Sequence, residues 1–185
     1  MKKSWIVIVA VALITVLAVG GTLAWLTDTA MASNTFTVGR IDIKLTEPSW
    51  TDNSKLYPGA VIGKNPTVTV LANSEDCYVY AMVDNQMNAA VANAVSLNIN
   101  ASWLPIGISG TKTVYKYALE VPQNADEQLL PPVFTNVTVN PDVVKEANIE
   151  SLRSAKIEVK AYAHQSKAVT ESEADAAALA YFGIK

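Results

Sequence analysis

The sequence predicts an all-β protein, an antiparallel β-sandwich of jelly-roll or immunoglobulin-like type with a short inserted helix and a C-terminal helix. Three observations support this fold class. Many short segments alternate apolar and polar residues with a period of two, as half-buried strands do. Clusters of Pro, Gly, Asn, Asp and Ser separate these segments. The strand–helix–strand alternation typical of a parallel sheet is absent.

The length and composition predict a single globular domain after a short N-terminal segment. The chain has 185 residues, of which 50% are apolar and 17% are charged, and this is enough for one compact core and little for two. We expect a signal peptide at residues 1–24 and one β-sandwich domain at residues 25–185. The single Cys77 cannot form an intramolecular disulfide, so the domain must be stabilised by its core.

The N-terminus has the layout of a secretory signal peptide. Met1–Lys3 carries two positive charges, and residues 5–19 are uniformly apolar, followed by Gly20 and Gly21. Small residues at positions 22 and 24 predict cleavage between Ala24 and Trp25. An alternative A-x-A site would cut between Ala32 and Ser33, but it lies further from the apolar segment.

An uncleaved anchor is the alternative to a signal peptide. Residues 5–26 carry no charged side chain, and about 20 apolar residues of helix are enough to cross a bilayer. Cleavage after Ala24 would remove Lys2 and Lys3 and no acid, so the net charge would change from −3 to −5. This acidic balance argues against a nucleic-acid partner, which requires a basic surface.

The predicted strands continue to the C-terminal region. In chain order they are 36–38 with 41–45, 66–71, 77–83, 96–103, 112–121, 133–139 and 155–164. In the first strand, the alternation of apolar and polar residues shifts by one position at Gly39–Arg40, which predicts a β-bulge. Glu47–Pro48 ends this strand. Residues 77–83 are apolar or aromatic at every position, which predicts a central strand covered on both faces. Residues 49–63 are a predicted loop with a tight turn at 57–59, and residues 73–76 are a further predicted turn.

Two segments are predicted to form helices. Met87, Val91 and Val95 recur every four residues, which favours a short helix within 84–95. At the C-terminus, Thr170 and Glu173 fit a capping box, and Gly183 is a natural helix stop. Three acids of this helix are close in sequence: Glu171, Glu173 and Asp175. Carboxylates are favoured at a helix N-terminus, and the EF-hand pattern is absent, so we expect a capping role rather than calcium binding.

The sequence contains no recognisable catalytic motif. It has one His and one Cys, whereas a zinc site requires three or four ligands, commonly paired at short spacings. Neither HExxH nor G-x-S-x-G is present. We interpret His164 as an ordinary strand residue and Cys77 as a small buried residue. The expectation is therefore a protein without catalytic residues, metal ligands or cofactor.

The N-terminal junction contains three characteristic motifs: G-T-L-A-W-L-T-D-T at 21–29, N-T-F-T-V-G at 34–39 and I-D-I-K-L-T-E-P at 41–48. These motifs resemble the start of the TasA/camelysin family, proteins exported by Gram-positive bacteria through the SipW-type signal peptidase. Y-P-G at 57–59, C-Y-V-Y at 77–80 and I-E-V-K-A-Y-A-H-Q at 157–165 resemble the small clostridial-type branch. The likeness is specific at the N-terminus and looser further along.

The resemblance implies a jelly-roll fold and a secreted subunit, or accessory protein, of extracellular biofilm-matrix fibres. In such fibres an N-terminal segment completes the sheet of the next subunit by β-augmentation. The donor segment here would be 25–45, with six apolar residues as its contacts: Trp25, Phe36, Val38, Ile41, Ile43 and Leu45. Expected partners are further copies of the chain or related matrix proteins, with membrane contact only through the signal segment.

The resemblance also leaves two rival functions. Camelysin is described as a metalloendopeptidase, which implies a cell-surface peptidase, although this sequence lacks the ligands that such an activity needs. The other rival is a membrane-anchored binding module that keeps its apolar N-terminal helix.

Overall fold

The structure, a computed structural model, describes residues 39–49 and 55–184. Most of these residues form antiparallel strands. In chain order the elements are β1 Ile43–Thr46, β2 Val61–Gly63, β3 Thr67–Val70, β4 Cys77–Asn85, α1 Gln86–Ala90, β5 Val95–Ile99, β6 Trp103–Ser109, β7 Lys112–Tyr117, β8 Gln128–Leu129, β9 Phe134–Val139, a 3-10 turn Ile149–Leu152, β10 Ile157–Gln165 and α2 Glu171–Tyr181. Helices are few, as the sequence predicts.

The largest sheet has four strands in the order β10-β4-β7-β6, and every pairing in it is antiparallel. β4 and β10 pair over nine residues, from Ile157 opposite Asn85 to Gln165 opposite Cys77. β6, at the other edge, contains Pro105 and a register shift between Pro105 and Gly107. The two edges of this sheet therefore differ, one being regular and the other interrupted.

Two three-stranded sheets complete the β structure, in the orders β1-β3-β8 and β2-β9-β5. Residues 128–139 connect them, because β8 pairs with β3 while β9 pairs with β2 and β5. The main core lies between these sheets and the large one. Buried aliphatic side chains of β4, such as Val79 and Val83, share one cluster with Val68 of β3 and Phe134 of β9.

Helix α2 covers the other face of the large sheet. Its Ala174 and Ala178, with Phe182 just beyond its end, form a second buried cluster with Tyr80 and Met82 of β4. Because β4 is paired on both edges and covered on both faces, its side chains from position 79 to 83 are almost completely buried. This confirms the prediction made from the unbroken apolar run of residues 77–83.

The ends of α2 follow the local signals of the sequence. Thr170 and Glu173 form the predicted capping box. At the other end Gly183, with φ +70, lets Ile184 N–H reach Leu179 and Gly183 N–H reach Ala180. These two hydrogen bonds form a Schellman motif, which satisfies the last carbonyl groups of the helix.

β7 ends at Tyr117, four residues before the predicted end of its strand. Three further differences from the predicted elements are larger. The expected strand 96–103 is two strands, β5 and β6, because residues 101–102 form a turn in which Ser102 N–H binds the Asn100 side chain. The segment 49–63, expected to be a loop, contains β2. The inserted helix covers only Gln86–Ala90, and Val95 begins a strand instead. In each case pairing with a distant strand outweighs the local pattern.

The described residues belong to one compact unit, Gly39–Lys185. Within them, no helix combines the length and the apolar character required to cross a membrane. The predicted signal peptide, both candidate cleavage sites and the donor residues Trp25, Phe36 and Val38 lie outside the described part of the chain. The jelly-roll topology and the single domain 25–185 stay predictions.

Candidate functional site

The predicted donor segment 25–45 overlaps the edge strand β1, Ile43–Thr46. It pairs with β3 of its own domain, with Ile43 opposite Val70 and Leu45 opposite Val68. Ile41, Ile43 and Leu45 are half-buried and pack against the main core. The structure thus places Ile43 and Leu45 in the domain's own sheet, and Ile41 packs against the core just before β1.

A partly buried ion pair lies immediately after β1. The Lys64 ammonium group is 2.6 Å and 2.7 Å from the two carboxylate oxygens of Glu47, and only 9% of its side chain is exposed. Removing one partner from a buried pair is costly, so this contact fixes the end of β1 against the segment after β2. Sequence analysis missed this pair, because nothing local relates residues 17 positions apart.

A cleft of about 690 Å³ opens beside this ion pair. Its wall is mainly apolar and includes Leu56, Ile62 and Ile157, with Glu47 and Lys64 at one side. Since Glu47 follows β1 and Ile157 begins β10, the cleft lies where these two strands come together.

The acids of α2 have two different roles. Glu173 accepts hydrogen bonds from the Thr170 N–H and hydroxyl groups at 2.8 Å and 2.7 Å, which lower the pKa of its carboxyl group. This confirms the capping role for Glu173. Glu171 and Asp175 instead form ion pairs with Lys116 of β7, at 3.1 Å for Asp175.

Lys116 is the polar residue under α2 that the sequence pattern did not reveal. It is 8% exposed and lies on the helix-covered face of the sheet, near Tyr80. Burial alone would lower the pKa of Lys116, but its hydrogen bonds and ion pairs with Glu171 and Asp175 raise it. The Tyr80 hydroxyl donates to Asp175 at 2.9 Å, and burial and this carboxylate raise the pKa of Tyr80. The cluster is thus an internal clamp between sheet and helix.

The only His and the only Cys of the chain lie apart. Cys77 faces the main core and is fully buried, and burial raises the pKa of its thiol to about 11. The neighbouring strand residue His164 is opposite Tyr78, and the alternation of strands puts its side chain on the other face of the sheet. Its Nδ1 atom is 2.8 Å from the Gln165 carbonyl oxygen.

These donors do not fit a zinc site of the His-rich type. A catalytic zinc ion commonly uses three protein ligands, which are brought together on one side of a pocket. Among residues 39–49 and 55–184, no three His, Cys, Asp or Glu side chains are grouped so that they could hold a metal ion. A metal-dependent reaction therefore has no identifiable ligand set in this part of the chain.

Comparison with known proteins identifies the family. A family model described as camelysin metallo-endopeptidase matches residues 1–100. No curated protein and no solved structure matches the chain. The match covers just over half of the sequence, including the N-terminal junction, the donor residues and β1 to β5, and this protein therefore belongs to the TasA/camelysin family.

Proposed function

We propose that the protein is a secreted structural subunit, or an accessory protein, of extracellular fibres, and that it assembles by donating an N-terminal strand. The observation that supports this most is the position of β1 at the edge of the sheet β1-β3-β8. A chain that enters its domain at a sheet edge can pair its preceding residues with another edge. We also propose the jelly-roll topology expected from the family resemblance.

The pairing of β1 supports a shorter donor than residues 25–45. Ile43 and Leu45 complete the sheet of their own domain, opposite Val70 and Val68. A subunit that keeps β1 in place has residues 25–38 for donation, including Phe36 and Val38. We therefore propose these 14 residues as the transferable part of the segment 25–45.

The test is assembly of the mature protein, residues 25–185, followed by electron microscopy. We expect fibres or ordered oligomers, and we expect their loss when residues 25–34 are deleted. Circular dichroism provides the folding control for the shortened chain. If the mature protein stays monomeric under every condition of pH, salt and concentration, the proposal is wrong.

The position of the cut decides the length of the donor. We expect N-terminal sequencing of the exported protein to begin at Trp25. A start at Ser33 would leave six residues before Gly39, too few to form a long donor strand. An intact N-terminus would instead support the anchored binding module.

A cell-surface metallopeptidase is the second candidate, because the matching family model carries that description. Zinc content and casein cleavage by the purified mature protein test it directly. Stoichiometric zinc together with cleavage that a chelator abolishes would establish the peptidase. We expect neither, because the chain has a single His and a single Cys and these lie on opposite faces of one sheet.

A further inference from the structure

The cleft beside the Lys64–Glu47 ion pair is lined by only two kinds of side chain. Thirteen residues of the described chain line it, of which eight are apolar and five are charged. None of these thirteen is a neutral polar residue such as Ser, Thr, Asn, Gln or Tyr. The volume of about 690 Å³ lies within the range of about 300–1,000 Å³ that is typical of small-molecule sites. The cleft therefore has the size of a ligand site but offers no neutral hydrogen-bonding side chain.

Apolar residues form the base and the walls of the cleft. Met87, Val137 and Leu152 are 8%, 3% and 2% exposed, so these lining residues lie at its base. Leu56 and Ile157 are half-buried and belong to its walls. Exposure therefore rises from the base towards the mouth, and the deepest part of the cleft is entirely apolar.

Backbone hydrogen bonds hold the elements around the cleft in place. Ile149 N–H binds the Lys145 carbonyl at 3.0 Å, and Ala155 N–H binds the Leu152 carbonyl at 3.1 Å, so both ends of the 3-10 turn are fixed. Met87 belongs to α1, which contacts this turn. A site that is formed before the ligand arrives avoids part of the entropic cost of binding.

The charged residues of the cleft leave an excess of one positive charge. Glu150 and Arg153 pair with each other at 2.8 Å, and both side chains are largely exposed. Lys64 is paired with Glu47 at one side of the cleft. Lys156 is exposed, and its ammonium group has no partner in the described part of the chain. The mouth of the cleft therefore carries one uncompensated cation.

We propose that the cleft binds a long-chain fatty acid, with the alkyl chain against the apolar base and the carboxylate at the mouth beside Lys156. A sugar, a nucleotide or a peptide would bury polar groups without partners in such a site, which is unfavourable. An alkyl chain needs no hydrogen bonds and gains from each methylene group that leaves water. The excess positive charge favours a carboxylate over a neutral or cationic headgroup. The site lies within one subunit, so the inference is independent of fibre assembly.

A series of saturated fatty acids tests the alkyl part of the inference with the unmodified mature protein. Isothermal titration calorimetry measures each affinity below the concentration at which the fatty acid forms micelles. Each fully buried methylene group should strengthen binding by about fourfold. The cleft is open on one side, so we expect a smaller gain, of at least about tenfold between decanoate and tetradecanoate. An affinity that does not depend on chain length would overturn the inference, and so would the absence of binding by every member of the series.

A variant that fills the cleft tests the location of the site. Ala155 lines the cleft, and Ala155→Phe should weaken the binding of tetradecanoate by at least about tenfold. The matched control is Ala176→Phe on the exposed side of α2, which should bind like the wild type. Circular dichroism checks the folding of both variants. If Ala155→Phe does not fold, Leu56→Ala replaces it and should weaken binding by at least about threefold, because it shortens a wall. Folded cleft variants that bind as tightly as the control would overturn the inference.

The headgroup is tested with Lys156→Gln. An ion pair at an exposed site contributes little, so we expect this change to weaken tetradecanoate binding by about two- to fivefold and to leave the binding of tetradecanol unchanged. Lys160→Gln is the control on β10, where Lys160 pairs with Glu158 at 3.4 Å, and it should leave both affinities unchanged. Tetradecyltrimethylammonium that binds as tightly as tetradecanoate would overturn the choice of a carboxylate.

Vesicles distinguish a free fatty acid from a lipid membrane. The mature protein is mixed with phosphatidylglycerol vesicles and sedimented, and we expect it to stay in the supernatant. Sedimentation with vesicles, together with no binding of free tetradecanoate, would make a membrane the partner and overturn the inference. All of these measurements are made on monomeric protein, so failure of fibre assembly would leave their outcome intact, and the absence of fatty-acid binding would leave the proposed function standing.

Discussion

The two faces of the four-stranded sheet are buried in different ways. On the core face, Val79, Ala81 and Val83 of β4 belong to one apolar cluster with side chains of the other sheets. On the opposite face, Tyr80 and Lys116 are equally buried but require the carboxylates of α2 as partners. Burying a polar group is favourable only if its hydrogen bonds are satisfied. The core face therefore depends on volume, whereas the helix face depends on specific partners.

The largest expected effect is on the core face, from Trp103→Ala. The Trp103 side chain is 2% exposed, and its Nε1–H donates to the Pro131 carbonyl at 3.0 Å. Truncation leaves a cavity and an unsatisfied carbonyl, so we expect a loss of about 3–5 kcal/mol in the free energy of unfolding. Urea denaturation measures it.

The control on the same strand is Ile108→Ala. Ile108 is 70% exposed, and we expect a change within about 0.5 kcal/mol. If both variants lost the same stability, β6 would not be anchored by its core-facing residue.

Lys116→Ala tests the helix face. It leaves Glu171 and Asp175 without the ammonium group, and we expect a loss of about 1–3 kcal/mol because the carboxylates are partly exposed. The control Lys160→Ala removes an exposed pair with Glu158 at 3.4 Å and should cost within about 0.5 kcal/mol. Faster hydrogen exchange confined to α2 would locate the effect. Unchanged exchange in α2 would show that the pair does not hold the helix.

The pH dependence provides an independent test of the same clamp. Because the pKa of Lys116 is raised in the folded protein, its contribution is fully present below the usual lysine pKa of 10.5 and is lost as the pH rises through the folded value. We expect the stability of the wild type to fall above pH 10.5 by more than that of Lys116→Met. Parallel curves for the two proteins would contradict this.

Gly183→Ala should have a smaller effect at the end of α2. With φ +70 at Gly183, a β-carbon costs about 1–2 kcal/mol, and it would disturb the hydrogen bond from Ile184 to Leu179. Gly110→Ala, with φ +61 and no atom within 4 Å of the new β-carbon, is a control with the same strain away from the helix. Only Gly183→Ala should increase exchange in the last turn of α2.

The smallest expected effect is on the capping box. Hydrogen bonds from Thr170 lower the pKa of Glu173, so the contribution of this carboxylate is present above pH 4.5 and is lost as the pH falls through the lower folded value. We expect acid to weaken the first turn of α2 in the wild type and to have less effect in Glu173→Gln. Exchange of the amides near Thr170 measures the difference.

Local features of the fold could be predicted from the sequence because they depend on neighbouring residues. The capping box at Thr170, the stop at Gly183 and the buried strand beginning at Cys77 follow from nearby side chains and from the apolar pattern. β2 was missed because a three-residue strand forms only by pairing with β9. The two strands within 96–103 were merged because both segments are apolar and the turn between them lacks Gly and Pro.

The candidate sites likewise include features that depend on neighbouring residues and features that depend on residues far apart in sequence. The apolar residues of the proposed donor segment are visible in the N-terminal pattern, and the family match covers that part of the chain. The pairs Lys64–Glu47 and Lys116–Asp175 could not be predicted, since their members are 17 and 59 positions apart. A lysine in an alternating strand looks solvent-exposed until the element that covers it is known.

The sequence alone determined most of the strands, the caps of α2 and the resemblance to the family, because each depends on a local order of residues. Only the tertiary structure decided which strands form edges and which polar residues are buried. It placed β10 and β1 side by side without a ladder between them, and it placed Lys116 beneath α2. The physical reason is that edges and burial depend on strand order, which long-range packing selects after the local elements are formed.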